Sequence, residues 1–220
     1  MVRNLAFTYP ASSWTLRVPE LTLAPREQLL MQATSGAGKS TLLSLIAGLL
    51  EPAEGSIEVQ GTRIHALRNA ARDRFRGRTL GMVFQTHHLI SGLSALENVL
   101  AAPLMASLPV SPTRAHELLS QLGIVRVSAK IDDLSVGQQQ RVAIARALVC
   151  NPALVLADEP TASLDPANAQ AAMDLLQQSC QAAGAALLCV SHDPAMAHRF
   201  ARVEPLAADA AAQPLAGATP

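Results

Sequence analysis

The segment Ser35-Gly36-Ala37-Gly38-Lys39-Ser40-Thr41 constrains the fold of this chain more than any other. It follows a short apolar run, Gln28–Met31, and opens an apolar-faced stretch, Lys39–Leu50, in which Leu42, Leu43, Leu45 and Ile46 recur at helical spacing before Gly48 and Pro52. A glycine-rich turn that leaves a buried strand and enters a helix predicts a phosphate-binding loop. Glycines let successive backbone N–H groups turn inward as an anion nest, and the helix adds its positive N-terminal end. Lys39 is placed to reach the β- and γ-phosphates, and the Ser40 hydroxyl to bind Mg²⁺. Only two of the 17 basic residues are lysines, Lys39 and Lys130, so the loop holds one of the few ammonium groups available. Taken alone, a Gly/Ser turn ahead of a core helix fits the same pattern. Ala33 stands where such a loop usually opens with glycine, which is tolerable only if its φ is negative.

The rest of the composition bounds what surrounds that loop. With 220 residues, half of them apolar, the chain is long enough for one substantial core with an inserted subdomain. Aromatics make up 3%, so Leu, Val, Ile and Ala must do the packing. Basic and acidic residues balance at 17 each, which gives no overall field for nucleic acid or an anionic membrane. No apolar run approaches the roughly 18–20 residues that span a bilayer. The first residues read as a strand and not as a leader peptide. Cys150, Cys180 and Cys189 form no C-x-x-C pair, which fits reduced, buried thiols. A peripheral protein on the cytoplasmic side is expected.

Val2–Thr8 and Leu16–Ala24 read as an antiparallel pair separated by Pro10, Ser12 and Ser13. Gly55–Val59 and Leu80–Phe84 predict further strands. From Ser91 to Cys150 the pattern is helical, with breaks expected at Pro103, Pro109 and Pro112. Strands resume at Ala153–Ala157 and Ala185–Ser191 around a helix from Pro166 to about Ala183, and Ala207–Pro220 reads as a loose Ala/Pro-rich tail.

Two further segments carry chemistry. Leu154-Val155-Leu156-Ala157-Asp158-Glu159-Pro160 is an apolar strand that ends in two carboxylates, where open α/β sheets bind ligands. Asp158 is suited to hold Mg²⁺ through water, and Glu159 to polarise an attacking water. A turn cap is the simpler role for such a pair. Leu134-Ser135-Val136-Gly137-Gln138-Gln139-Gln140-Arg141 precedes a helix with Val142, Ala145, Leu148 and Val149 on one face. That is a second anion-binding helix start, with Ser135 as N-cap or phosphate donor, in the helical insert, so it need not face the first loop. A phosphate-reading helix without a local phosphate suggests assembly against another chain.

At these residues, and over nearly its whole length, the chain resembles the ABC ATPases. Their signature L-S-G-G-Q corresponds to Leu134-Ser135-Val136-Gly137-Gln138, with Val136 in place of the first glycine. The resemblance implies an α/β fold: a P-loop NTPase (RecA-like) core with an N-terminal antiparallel β subdomain over residues 1–85 and 151–206, an inserted α-helical signature subdomain over 86–150, and the tail from 207. It further implies that Tyr9 stacks on adenine and that Gln85, in Val83-Phe84-Gln85, senses Mg²⁺ and couples to a membrane domain. By the same likeness Ser163-Leu164-Asp165 is the D-loop, and His192 contacts the γ-phosphate. Two copies, or one copy and a second ABC ATPase, are then expected head to tail. Each ATP would lie between Ser35, Gly36, Ala37, Gly38, Lys39, Ser40 and Thr41 of one and Ser135, Gly137 and Gln138 of the other. The resemblance also implies a separate integral membrane subunit that holds the pair to the cytoplasmic face of the inner membrane, with no nucleic acid expected.

The stretch from Phe84 through Ile90-Ser91-Gly92-Leu93 to Val99 is most similar to lipoprotein-releasing, macrolide-export and cell-division ATPases. Gating of a cell-division or cell-wall regulator without transport is the alternative that this similarity leaves open. Arg63, Arg68, Arg72, Arg74, Arg76 and Arg78, opposed only by Asp73, predict a solvated helix face. Contact with lipid headgroups or an acidic loop is the lesser reading of that run.

Overall fold

The computed structural model describes residues 1–10, 13–162, 164–206 and 208–209. The chain opens with β1 (Val2–Thr8) and β2 (Thr15–Leu21), then β3 (Gln28–Gln32) and α1 (Lys39–Ile46). Next come β4 (Glu54–Val59), β5 (Thr62–Arg63), α2 (Asn69–Thr79) and β6 (Leu80–Val83). The insert holds α3 (Ala95–Met105), α4 (Pro112–Gln121) and α5 (Val136–Leu148). The chain returns through β7 (Leu154–Asp158), α6 (Pro166–Ala183), β8 (Ala186–Ser191), β9 (Arg202–Pro205) and β10 (Ala208–Asp209).

Two sheets organise these elements. One has the order β10-β2-β1-β4-β5, and the other β6-β7-β8-β3-β9. The first is antiparallel, with β1 and β2 paired as the sequence predicts. Every pairing in the second is parallel. Leu30, Val155, Ala157, Leu187 and Cys189 point to an apolar cluster shared with α5, α6 and the helical insert. Leu29, Met31, Leu156, Leu188 and Val190 point to the opposite cluster, under α1 and the antiparallel sheet. A parallel sheet covered on both faces explains why these strands read as continuous apolar runs without polar alternation. Because all its strands run the same way, the loops after β3, β6, β7 and β8 emerge along one edge.

Two expectations are corrected, and one strand was not expected. Pro103 does not break the insert's first helix but lies within the last turn of α3, where the lost N–H removes a single ladder bond. Ala208 and Asp209 belong to a strand paired with Leu16 and Thr15, not to a loose tail; the remainder of 207–220 lies outside the described residues. Strand β9 carried no signal, because its Arg-Val-Glu-Pro sequence is polar and short, and it is held at the sheet edge by its pairing with β3. The basic run forms α2 and its flanks, and part of it is paired: Arg72 meets the exposed Glu51 at 2.5 Å and Arg76 meets Asp73 of the same helix at 2.6 Å. Cys180 and Cys189 are buried, free thiols, and burial pushes the Cys180 thiol up to about 12, so neither is poised for reaction.

Candidate functional site

The phosphate loop leaves β3 at Gln32 and enters α1 at Lys39. Its start is tied to the β8 end, where the Ala33 N–H donates to the Ser191 carbonyl at 3.2 Å. Ala33 is not among the residues of positive φ, so its departure from glycine costs the loop no backbone strain. Gly36 and Gly38 do need to be glycine by conformation, at φ 80° and 92°. Gly38 is doubly required, since a Cβ there would lie 2.6 Å from the Trp14 ring.

Lys39 is buried and its ammonium donates to the carbonyls of Ala33 and Thr34 at 3.0 and 2.9 Å. It also pairs with Glu159 Oε1 at 3.2 Å. Glu159 follows β7, and its N–H donates to the Val190 carbonyl at 3.0 Å. It has φ 46°, a left-handed conformation that costs a non-glycine residue on the order of 1–3 kcal/mol. That turn sends its carboxylate away from Asp158 and onto the β8 end. There it accepts from Ser191 Oγ at 3.1 Å and meets His192 Nδ1 at 2.7 Å. Burial alone would raise the Glu159 carboxyl. The hydrogen bonds from the His192 ring, the Lys39 ammonium and the His192 N–H outweigh it and hold the group below the ordinary carboxylate range. Asp158 goes the other way. Burial raises its carboxyl, the adjacent Glu159 charge adds to the rise, and a hydrogen bond from Ser40 with the Lys39 charge only partly offsets it. Two neighbouring carboxylates are thus pushed apart, one held ionised and one inclined to take a cation or a proton.

These groups line a cleft of about 470 Å³ with Tyr9, Ser35, Gly36, Gly38, Ser40, Thr41 and the exposed Gln85. The Tyr9 hydroxyl is 3.0 Å from Thr41 Oγ1. Its ring packs edge-on against Phe7 and stacks on Trp14, with centroids 6.2 Å apart. Trp14 is the site residue that the sequence reading missed. A single tryptophan just before a strand resembles a core residue, and only its position over Gly38 reveals it. Ser40, Asp158 and Gln85 offer hard oxygen donors at one end of the cleft and fit Mg²⁺. Among the described residues no group of three His, Cys, Asp or Glu is placed to hold a metal ion by itself. Glu159 is also a wall of a second cleft, of about 800 Å³, which holds His192, Thr161 and Leu164.

The signature residues are elsewhere. Ser135 caps α5 in a capping box: the Gln138 N–H donates to Ser135 Oγ at 3.3 Å, and the Ser135 N–H to Gln138 Oε1 at 3.0 Å. Val136 is the first residue of that helix and half exposed, so a side chain in place of glycine is accommodated. Ser135, Gly137 and Gln138 line neither cleft. Asp165 caps α6 by accepting from the Asn168 N–H, and Ser163 lies outside the described residues.

The sequence pattern of the family described as ABC transporter matches residues 16–162. The chain is 42% identical over 208 residues to the lipoprotein-releasing system ATP-binding protein LolD of Pseudomonas syringae pv. tomato, with 91% of each covered. It is 43% identical over 187 residues to LolD 1 of Caulobacter vibrioides, covering 83% of this chain and 80% of that one. Among solved structures it is similar to the dimeric post-hydrolysis state of the ATP-binding cassette MJ0796 bound to ADP and Pi. The TM-score is 0.81, with 32% identity and 93% of each chain covered. Similarity to cbiO1 from Clostridium perfringens, part of the ABC transporter complex cbiONQ, gives a TM-score of 0.76 at 29% identity over 87% of this chain and 77% of that one.

Proposed function

The chain belongs to the ABC transporter family as an ATP-binding and ATP-hydrolysing cassette, and on that premise we propose how its residues divide the work. One observation carries the reading. Lys39, Glu159 and His192 form one bonded cluster over the phosphate loop, while the signature helix start at Ser135 lies outside that cleft. The chain supplies half of a site on each of two faces, so two copies close head to tail around two ATP.

In that closed pair the γ-phosphate takes the Lys39 ammonium from the Ala33 and Thr34 carbonyls. Glu159, released from Lys39 and already ionised, accepts the proton of the attacking water, and His192 holds the carboxylate and the phosphate in register. Ser40, Asp158 and Gln85 are the residues that would hold Mg²⁺, which when bound would supply positive charge against the phosphate oxygens. Tyr9 carries the adenine on its ring face, and Ser135, Gly137 and Gln138 of the opposite copy bind the γ-phosphate. Asp165 lies at the junction of the two copies.

The membrane subunit seats in the groove of about 410 Å³ between α2, β6 and the insert, lined by Phe84, His88, Ile90, Met105 and Arg146. Exposed Leu104 and Met105 at its rim suit an apolar partner. No helix among the described residues is long and apolar enough to cross a membrane, as a peripheral subunit on the cytoplasmic face requires. Relatives named for lipoprotein release point to an envelope-directed cargo.

Purification of the Glu159→Gln chain with Mg-ATP from detergent-solubilised cells tests this. A dimer that carries a multi-span membrane protein is expected. Recovery with ribosomal or DNA-associated partners alone would end the transporter reading and leave the ATPase.

A further inference from the structure

We propose that Arg146 is a positioning residue for ATP hydrolysis: it ties the loop carrying Gln85 to the helix that begins at the signature, so that the two move as one body. The inference rests on the two-copy closure proposed above and names the side chain that carries the motion.

Arg146 lies on α5, about three turns beyond Ser135 at 3.6 residues per turn. Its Nη2 donates to the His87 carbonyl at 2.6 Å and its Nη1 to the His88 carbonyl at 2.5 Å. It is half-buried and makes no ion pair among the described residues, so its charge is spent on those two backbone oxygens. A planar fork suits two successive carbonyls, whereas a lysine ammonium is a point charge on a shorter stem. The carbonyls are presented by an unusual backbone: His87 and His88 have φ 58° and 47°, left-handed conformations that non-glycine residues rarely adopt in succession.

A second contact runs between the same two elements. The buried His87 ring lies beside the buried Gln140 side chain of α5, where His87 Nε2 and Gln140 Oε1 have no well-formed hydrogen bond among the described residues. Beyond the histidines the segment is pinned again. The fully buried Asn98 of α3 accepts from the Ile90 N–H at 2.7 Å and donates to the Ile90 carbonyl at 3.1 Å. The stretch from His87 to Ile90 is therefore fixed to α5 and α3, whereas Gln85 and Thr86 just before it are exposed. A pull on Gln85 at the cleft has little slack to absorb it and passes through the two carbonyls to Arg146, and along the helix to Ser135. Arg146, His88 and Ile90 also line the groove assigned above to the membrane subunit, so a push there reaches the same knot.

The test compares Arg146→Met and Arg146→Lys in the full chain, each with and without Glu159→Gln. Mg-ATP binding is read from the emission of Trp14, dimerisation from sedimentation, and turnover from steady-state kinetics. Arg146→Met is expected to bind Mg-ATP within about twofold of its parent and to need more than about tenfold higher ATP to dimerise. Its kcat should fall at least about tenfold with KM nearly unchanged, the split expected for a group that acts after binding. Arg146→Lys should recover only part of this, because it restores the charge but not the fork. Parental dimerisation and kcat in Arg146→Met would overturn the proposal. So would loss of Mg-ATP binding and of thermal stability together, with full recovery in Arg146→Lys, which marks a purely structural charge. A Glu159→Gln parent that stays monomeric with Mg-ATP would sink the two-copy reading instead, and the kcat comparison would then decide Arg146 by itself.

Discussion

At the scale of single residues, the proposed chemistry turns on two adjacent carboxylates that the backbone separates. Glu159→Gln is expected to lower ATP turnover by about 10²–10⁴-fold, the usual span for a lost general base, with Mg-ATP binding retained. It also leaves the buried Lys39 without its ion partner, so stability without nucleotide should fall by about 1–3 kcal/mol in denaturant titration. The pH dependence has opposite signs at the two sites. Glu159 is held below its ordinary value, so its stabilising contribution is present above the unfolded pKa and is lost as pH falls through the folded one. Asp158 is raised, so the cost of its ionisation sets in as pH rises above the unfolded value and is complete above the folded one. Thermal melts of Asp158→Asn should show a gain over the parent at pH 7 that disappears below about pH 4, the unperturbed range of Asp. A gain of equal size at both pH values would show that the effect comes from packing, not charge. The sequence singled out both carboxylates and gave them different roles, but not their opposite titration shifts. What separates them is the φ of Glu159 and the proximity of Lys39, Ser191 and His192, three partners remote in the chain.

At the scale of elements, the phosphate loop and the α5 start were legible because each is a local pattern with local physics. Gly38→Ala is expected to weaken Mg-ATP binding by more than about tenfold, since it demands a positive φ and drives a methyl into Trp14. Titration followed by Trp14 emission checks it, the chain having a single tryptophan. Ser135→Ala removes the cap of α5 and should cost about 1 kcal/mol of stability. It should reduce turnover while leaving binding by the isolated chain intact, because Ser135 does not line the phosphate cleft. Loss of binding in that variant would contradict the division of the site between two copies. The elements that escaped the sequence reading share one trait. Strands β9 and β10 are short and polar or small, and exist because an edge of a sheet is there to receive them. Pro103 shows the same dependence: near the end of α3 a proline forfeits one bond, and the packed insert tolerates the loss.

At the scale of the whole molecule, ligand binding and stability should move together. Mg-ATP at 100 times its Kd is expected to stabilise the chain by about 2.7 kcal/mol, or roughly 5–10 °C in melting temperature for a domain of this size. Lys39→Ala should abolish that shift. EDTA should reduce it, if Ser40 and Asp158 hold Mg²⁺ as proposed. The parallel sheet makes this coupling direct. Its two faces are buried under separate apolar clusters, and its four functional loops leave from one edge. Order among those loops is thus order in the core.

The sequence by itself determined the class of fold, the phosphate loop, the acid pair and the signature helix start. Those depend on hydrophobic period, glycine freedom and helix capping, which are properties of neighbours in the chain. Only the tertiary structure decided which groups meet. The parallel order β6-β7-β8-β3 sets Glu159 between His192 and Lys39 of the phosphate loop, the β1–β2 pairing lays Trp14 over Gly38, and Arg146 comes to rest under the carbonyls of His87 and His88. Those meetings join residues tens to more than a hundred positions apart. No local propensity encodes them, because the free energy that fixes them is the burial of the two apolar clusters as a whole.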